Sequence, residues 1–542
     1  MITESTARRT SFLAIVASVL LPNVLCLAAT VNIADCGAMN DGKTLCTKAI
    51  QTAIDRCASA GGGTVYFPPG KWLTGTLWLK SHVTLQLDAG CVLVGSTNQA
   101  DYPQYKVRIR SYTDNYVCQS LLAGEDLENV AICGRGTIDG SGAAYHWTHY
   151  LDRPYLIRLA GCRDVVVSGI HLRNSGMWMQ HYLACDYVRI QNVTVWNHVT
   201  YNNDGLDIDG CQHVIVSGCM IDSGDDALCL KSTFDRACKD IAISNCVLSS
   251  HCNAIKMGTE SNGGFQNISI SNCTICTSRD TKSTYGIRKG LAGIALEMVD
   301  GGRLERIAIS NIVIDGVTVP IFMRLGNRAR PFKKGMASPG VGTFRQVTLN
   351  NIVATDMSNI GCSITGLAGH PVQDVTLSNI QLSFAGGGTR QQAVRPIPEL
   401  ERAYPEGRMF GVLPAYGFYC RHVAGLTLRN IRLQTVKPDR RPAIVMDDVK
   451  NARLDALEAT STADTRAVLR FTNVRNSTIC NSRLTQPAQA FLEIVDTASH
   501  DLWMTGNDAH LAARFVLAEH GAPAKIVAFG TNRVPSEANH SK

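Results

Sequence analysis

The 542-residue sequence predicts an all-β chain wound as a right-handed parallel β-helix with an N-terminal capping helix. Three observations carry that expectation. A phrase of the form apolar-x-apolar-Ser-Asn-apolar recurs, as in Ile241-Ala242-Ile243-Ser244-Asn245-Cys246 and Ile268-Ser269-Ile270-Ser271-Asn272-Cys273. From Val167 to Ile309 the third residues of successive copies step by 23, 26, 27, 27 and 39. Short alternating strands at a period in the twenties stack as parallel coils rather than as a sandwich. Asn also holds one corner of the phrase, at Asn192, Asn245, Asn272, Asn311, Asn351, Asn379 and Asn430, where its amide suits a turn and can bond along the axis. Leucine-rich repeats share the period, but their helical segments and leucine consensus are missing.

The elements follow in chain order. Arg8 and Arg9 precede an apolar run at 12–21, and small residues Ala28, Ala29 and Thr30 come next, so 1–29 reads as a cleaved signal peptide. The run is too short to span a bilayer. Cys26 raises a lipid anchor as a minor alternative, against which Leu25 is bulky for such a site. Export to the medium or the periplasm is expected, with no membrane attachment of the mature chain.

From Thr47 to Cys57, Ile50, Ala53, Ile54 and Cys57 fall at i, i+3, i+4 and i+7, an amphipathic helix with one buried stripe. Gly61-Gly62-Gly63 ends it, and Thr64-Val65-Tyr66-Phe67 before Pro68-Pro69-Gly70 reads as strand then turn. Repeat folds grow in one dimension, so the length prior of several domains does not apply. One β-helix domain is expected over 30–440, with its last coils and a C-terminal cap over 441–542. Excursions at 324–343 and 385–415 interrupt the repeat and are expected to rim a cleft. A loose tail is expected over 535–542.

Composition narrows the function. Charged residues make up 18% and the formal net charge is +7, which suits an anionic polysaccharide, while no dense Lys/Arg run points to nucleic acid. Twenty cysteines in an exported chain raise disulfides. Cys219, Cys246 and Cys273 recur at 27-residue steps, however, and would stack as a ladder of packed thiols, leaving a few bridges elsewhere. No glycine-rich phosphate loop in a strand–helix setting is found, and no cofactor is expected.

The chemistry concentrates at 202–231. Asp204 and Asp226 lie 22 residues apart, and Asp-Gly-Leu-Asp-Ile-Asp aligns over Asp-Ala-Leu-Cys-Leu-Lys. If 22 residues make one coil, Asp204, Asp225 and Asp226 gather on one patch. Like charges so placed raise each other's pKa and are hard to explain structurally, but they suit acid–base cleavage of a glycosidic bond. Alternation puts Leu206, Ile208, Leu228, Leu230, Ile255 and Met257 inward and Asp207, Asp209, Cys229, Lys231 and Lys256 outward.

With these motifs in place, the chain resembles glycoside hydrolase family 28, the polygalacturonases and their relatives, over most of 31–435. The resemblance rests on Ala38-Met39-Asn40-Asp41-Gly42, the 61–70 segment, Gly136-Thr137-Ile138-Asp139-Gly140, Asn203-Asp204-Gly205, Gly224-Asp225-Asp226 and Leu413-Pro414-Ala415-Tyr416-Gly417. It implies a right-handed β-helix and hydrolysis of α-linked uronic acid polymers with inversion. It also implies Asp225 as general acid, with Asp204 and Asp226 activating water. Inversion asks for acid and base about 6.5–9.5 Å apart, a separation expected between Asp225 and Asp204.

Two departures stand out. One coil beyond the acid pair, where the family carries Gly-His-Gly, Asn253 takes the histidine's place. His251, two residues earlier, reads either as a catalytic helper or as a turn residue near the cleft. The family's Arg-Ile-Lys aligns on Ala295-Leu296-Glu297. Lys231 and Lys256 are the substitutes on offer, meeting a uronate carboxylate or else neutralising Asp207, Asp209 or Glu297. Substrate contacts are therefore expected from Lys256, Lys231, Asn253, His251, Asp207 and Trp178. His181 is expected to line the same groove, and Trp147 or Tyr145 to stack on sugar. The expected partner is a pectic polysaccharide or oligosaccharide met by a monomer, with rhamnogalacturonan a rival to polygalacturonate. The long excursions favour attack at chain ends.

Two other classes compete. A calcium-dependent pectate lyase or uronate epimerase on the same fold would make the acids metal ligands and cast Lys256 as base. A silent glycan-binding β-helix would need no acid cluster.

Overall fold

The computed structural model describes Met1 and residues 29–145, 149–518 and 527–535. The expected signal peptide, except for Met1 and Ala29, and His146, Trp147 and Thr148 lie outside the described residues, as does the tail beyond Pro535.

The inward-facing aliphatic residues of each coil dictate the architecture. Leu206 and Ile208 sit in register on Leu228 and Leu230, which sit on Ile255 and Met257, and all six are buried in one continuous core. Each such side chain withdrawn from water contributes about 1.5–3 kcal/mol. A one-residue slip would turn the set outward, so burial fixes the register. A typical coil carries the strands Leu206–Asp209, Gln212–Ser217 and Met220–Ser223. Each pairs in parallel with its counterpart on the next coil. The coils wind as a right-handed parallel β-helix.

The corner asparagines adopt positive φ, between 52° and 58° from Asn192 to Asn430, a region their short polar side chains tolerate. Part of the expected amide ladder forms. Asn311 donates to Asn272 at 3.0 Å and Asn351 to Asn311 at 2.8 Å. Asn379 then donates to Asn350 at 2.9 Å instead of Asn351, so the ladder steps sideways there.

The helix Thr47–Ser59 buries Ile50, Ala53, Ile54 and Cys57 against the strands Ala29–Asn32 and Gly63–Phe67. Parallel pairing continues past 440, through Ile444–Lys450 on Leu469–Cys480 to Leu502–Met504 on Val527–Phe529. Cys219, Cys246 and Cys273 stack as expected, each thiol near the carbonyl two residues back. The expected bridges are a correction. All 19 cysteines among the described residues are free, most of them packed as small apolar side chains. Among the described residues no helix is long and apolar enough to cross a membrane.

Candidate functional site

Two turns deliver the acids, and buried amides and hydroxyls fix both. Asn203 donates to the Ser175 and Met177 carbonyls at 3.1 and 3.0 Å, while Asn197 donates to the Asp204 carbonyl at 3.0 Å. One coil on, Ser223 and Ser250 donate to the Asp225 carbonyl at 2.7 and 2.6 Å. Gly205 between them is required, since a Cβ there would lie 2.3 Å from Ile221 and 2.6 Å from the Ala227 carbonyl.

Asp204, Asp225 and Asp226 therefore converge, one oxygen of each lying within 4.8 Å of the others. This corrects the expected 6.5–9.5 Å spacing, because adjacent coils stack the acids at strand separation.

Two lysines enter the cluster. Lys256 Nζ lies 2.9 Å from Asp226, whose other oxygen accepts from Asn253 Nδ2 at 2.7 Å. Lys231 Nζ stands 3.4 Å from both Asp204 and Asp207, and 4.5 Å from the Trp178 ring centroid. Burial alone would push every one of these carboxyls up. For Asp226 the Lys256 and Lys231 charges outweigh burial and hold it below the ordinary carboxylate range. For Asp225 burial, reinforced by Asp226, raises the carboxyl to about 6. Burial and the neighbouring Asp207 and Asp225 push Asp204 well up, and Asp207 rises to about 8, mainly through burial. The acids titrate as a set, with Asp226 carrying the charge and protons held around it.

Other residues arrive from outside the repeat. Glu260 comes through a bulge: Leu230 pairs with Met257, but Ser232 pairs with Ser261, so Lys231 faces 258–260. The extra residues aim Glu260 at Lys231 and Arg330. Those cations outweigh burial and hold its carboxyl low. Arg330, on the first excursion, lies 2.6 Å from Glu260 and stacks on Tyr112, 3.4 Å from ring centroid to guanidinium carbon. Tyr404 projects from the second excursion, where Arg324 donates to the Glu399 carbonyl at 2.7 Å and Arg421 to the Ile397 carbonyl at 2.7 Å. Its hydroxyl accepts from Lys256 at 3.4 Å. Tyr285 comes from the 277–291 segment, which lengthens that coil.

Together these groups line a cleft of about 460 Å³ that contains Asp204, Asp225, Asp226, Lys231, Lys256 and Trp178. Three expected contact residues stand behind its wall instead. Asn253 is spent on Asp226. Asp207 is fully buried beneath Lys231, with neither oxygen hydrogen-bonded. His251 is fully buried, donates to the Asp280 carbonyl at 3.2 Å and accepts from Ile287 N at its own carbonyl. It therefore anchors the segment carrying Tyr285. His181 is buried on Asp209 at 3.1 Å, beneath Trp178. Tyr145 is buried too, its hydroxyl donating to the Ser96 carbonyl, and packs on Tyr102.

The missed residues share one trait: they arrive from insertions, out of register with the repeat. Only Glu260 left a trace, since matching Ser232 to Ser261 instead of keeping strict register places it. A calcium ion needs six to eight oxygens, and although the three acids hold six between them, Asp226 already spends both of its oxygens on Asn253 and Lys256, and Lys231 stands against Asp204. The donor set suits proton transfer.

A family model described as glycosyl hydrolases family 28 matches residues 57–399. A probable polygalacturonase of Vitis vinifera is 36% identical over 230 residues, 39% of this chain and 46% of that protein. An exo-poly-alpha-D-galacturonosidase of Dickeya chrysanthemi is 29% identical over 255 residues, 36% of this chain and 41% of that protein. The match thus spans less than half the length of either relative. A family 28 exopolygalacturonase of Yersinia enterocolitica superposes with a TM-score of 0.63 at 21% identity, over 79% of this chain and 78% of its own. A hyperthermoactive exopolygalacturonase of Thermotoga maritima gives 0.60 at 21%, over 75% and 92%. At such identity the likeness is one of fold.

Proposed function

The chain belongs to glycosyl hydrolase family 28, and from that premise we propose that it hydrolyses α-linked, galacturonic-acid-containing pectic polysaccharide outside the cell. One observation carries the reading. Two adjacent carboxyls are driven apart, Asp225 up to about 6 and Asp226 below its ordinary range, as an acid and a base working side by side must be. Asp225 donates its proton to the leaving oxygen. Asp226, the ionised member of the base pair it forms with Asp204, takes one from the attacking water. Arg330 and Lys231 face the cleft as cations for a uronate carboxylate, in place of the Arg-Ile-Lys that Ala295-Leu296-Glu297 replaces. The apolar run at 12–21 behind Arg8 and Arg9 supports export.

The test is reducing-end release from a panel of pectic polymers in the presence of a chelator, with ultraviolet absorbance followed. New reducing ends without an unsaturated product support hydrolysis, and the responding polymer names the substrate. An absorbing product abolished by chelator replaces the proposal with a lyase, and no release from any pectic polymer sinks it.

A further inference from the structure

Beside the cleft runs a second groove of about 700 Å³. Its floor is apolar, from Ile109, Phe234 and Phe332, and its edge is cationic, from Arg110, Lys333 and Lys334. Resting on the pectic reading above, we propose that this groove is a shelf for the uronate units of the polymer that extend beyond the cleft.

The two cavities share a wall. Tyr112 and Arg330 line the cleft, and two residues along each segment Arg110 and Phe332 line the groove. Two residues span at most about 7 Å, so a chain leaving the cleft crosses only that ridge. The Arg330–Tyr112 stack ties the two segments together there, and Tyr112 N donates to the Thr233 carbonyl at 2.8 Å, beside Phe234.

The surface chemistry fits a polyuronate. Pyranose rings present apolar C–H faces, which suit the floor, and carboxylates at their edges, which suit the cations. Arg110 is partly offset by Asp114 at 2.7 Å, and Asp235 lines the groove as an acid. Lys333 and Lys334 are exposed, and among the described residues neither takes part in an ion pair. Their charge faces solvent at the exit of a cleft built for anionic sugar. A neutral glycan would gain nothing from them.

The test uses the full-length chain in native gels containing polygalacturonate or fully methyl-esterified pectin. Retardation by polygalacturonate alone is expected, with K333E/K334E binding about three- to tenfold more weakly and less salt-sensitively. The variant's kcat/KM is expected to fall by a like factor on the polymer and to stay unchanged on digalacturonate. Equal retardation of both proteins, or none of the wild type, overturns the shelf. Loss of retardation in K333E/K334E from a chain that cleaves no pectic polymer would instead sink the hydrolase and leave the shelf standing.

Discussion

Lys256 Nζ lies 2.9 Å from Asp226 Oδ2 and 3.9 Å from Glu297 Oε2, so one ammonium, almost fully buried, stands between an ionised acid and a neutral one. Its first partner is the proposed base, and the second sits one coil further on, in the stretch that aligns with the family's basic pair.

Removing that ammonium should disable the base. The Lys256 charge is the largest influence holding Asp226 down against burial, and an adjacent opposite charge moves a carboxyl by about 1–3 pKa units. In Lys256→Met the acid limb of kcat/KM should shift to higher pH by about that amount, since the base must be ionised to act. Lys256→Arg, which keeps the charge, should restore part of the profile and shows that the loss is not one of folding. An unmoved acid limb in a folded Lys256→Met would refute the assignment.

The coil was legible because it repeats. Burial of Ile243 or Ile270 imposes a rule that the sequence restates at nearly every turn, and Asp204 and Asp226 obey it one coil apart. Arg330, Tyr112, Tyr404 and Tyr285 obey no such rule. Contacts such as Lys256 to Tyr404, 148 residues apart, depend on how an insertion folds back. Of the two readings of His251, helper or turn residue near the cleft, its buried ring fits the second, since it serves the 277–291 segment. The 4.8 Å acid spacing was equally hidden, because the turn's own hydrogen bonds decide where Asp225 points.

Asp225→Asn should lower kcat by about 10²–10⁴-fold while leaving polymer binding intact, as expected for the loss of a general acid. In the wild type kcat/KM should fall as pH rises past about 6, because Asp225 must be protonated to donate. A pH–rate profile on the responding polymer checks both, and a flat alkaline limb up to pH 8 would reassign the acid.

Glu297 makes a stability prediction. It is fully buried, neither oxygen is hydrogen-bonded, and burial, only partly offset by Lys256, raises its carboxyl from 4.5 to about 8. The folded state then holds a proton that the unfolded chain releases, so this group's contribution is fully present below about pH 4.5 and is lost as pH rises toward 8. Asp207, raised to about 8, acts in the same direction. Glu297→Gln should therefore be relatively more stable at pH 8 than at pH 5, the Tm gap widening by on the order of 2 °C per kcal/mol. Thermal melts at the two pH values decide, and parallel shifts of the two proteins would show that Glu297 does not titrate in this window.

Mode of attack follows from the rim. Tyr150, Tyr285 and Tyr404 reach the cleft from three separate segments and are exposed by 49%, 46% and 56%. A rim assembled from three sides hinders a chain lying straight across. Reducing ends should therefore accumulate well before viscosity falls. A rapid viscosity loss at low conversion would mean internal cleavage.

Stereochemistry is the sharpest test of the acids' roles. A spacing of 4.8 Å or less between oxygens is near that of enzymes in which one carboxylate attacks the sugar directly. The local bonding restrains that role. Asp226 Oδ1 accepts from Asn253 N and Nδ2 at 3.2 and 2.7 Å, and Oδ2 faces Lys256 at 2.9 Å, so three donors hold the carboxylate in place and one lone pair, on Oδ2, is left to accept a proton. Asp204 stands beside it with its carboxyl pushed well up by burial and its Oδ1 buried without a hydrogen-bond partner, so of the two Asp226 is the one that carries charge for a proton from water. On the proposed roles these acids activate water, and the first sugar released from an α-linkage should be the β-anomer. Proton NMR of the anomeric signals in the first minutes of reaction reads this directly. An α-anomer appearing first would make Asp204 or Asp226 a nucleophile and overturn their assignment as the base pair.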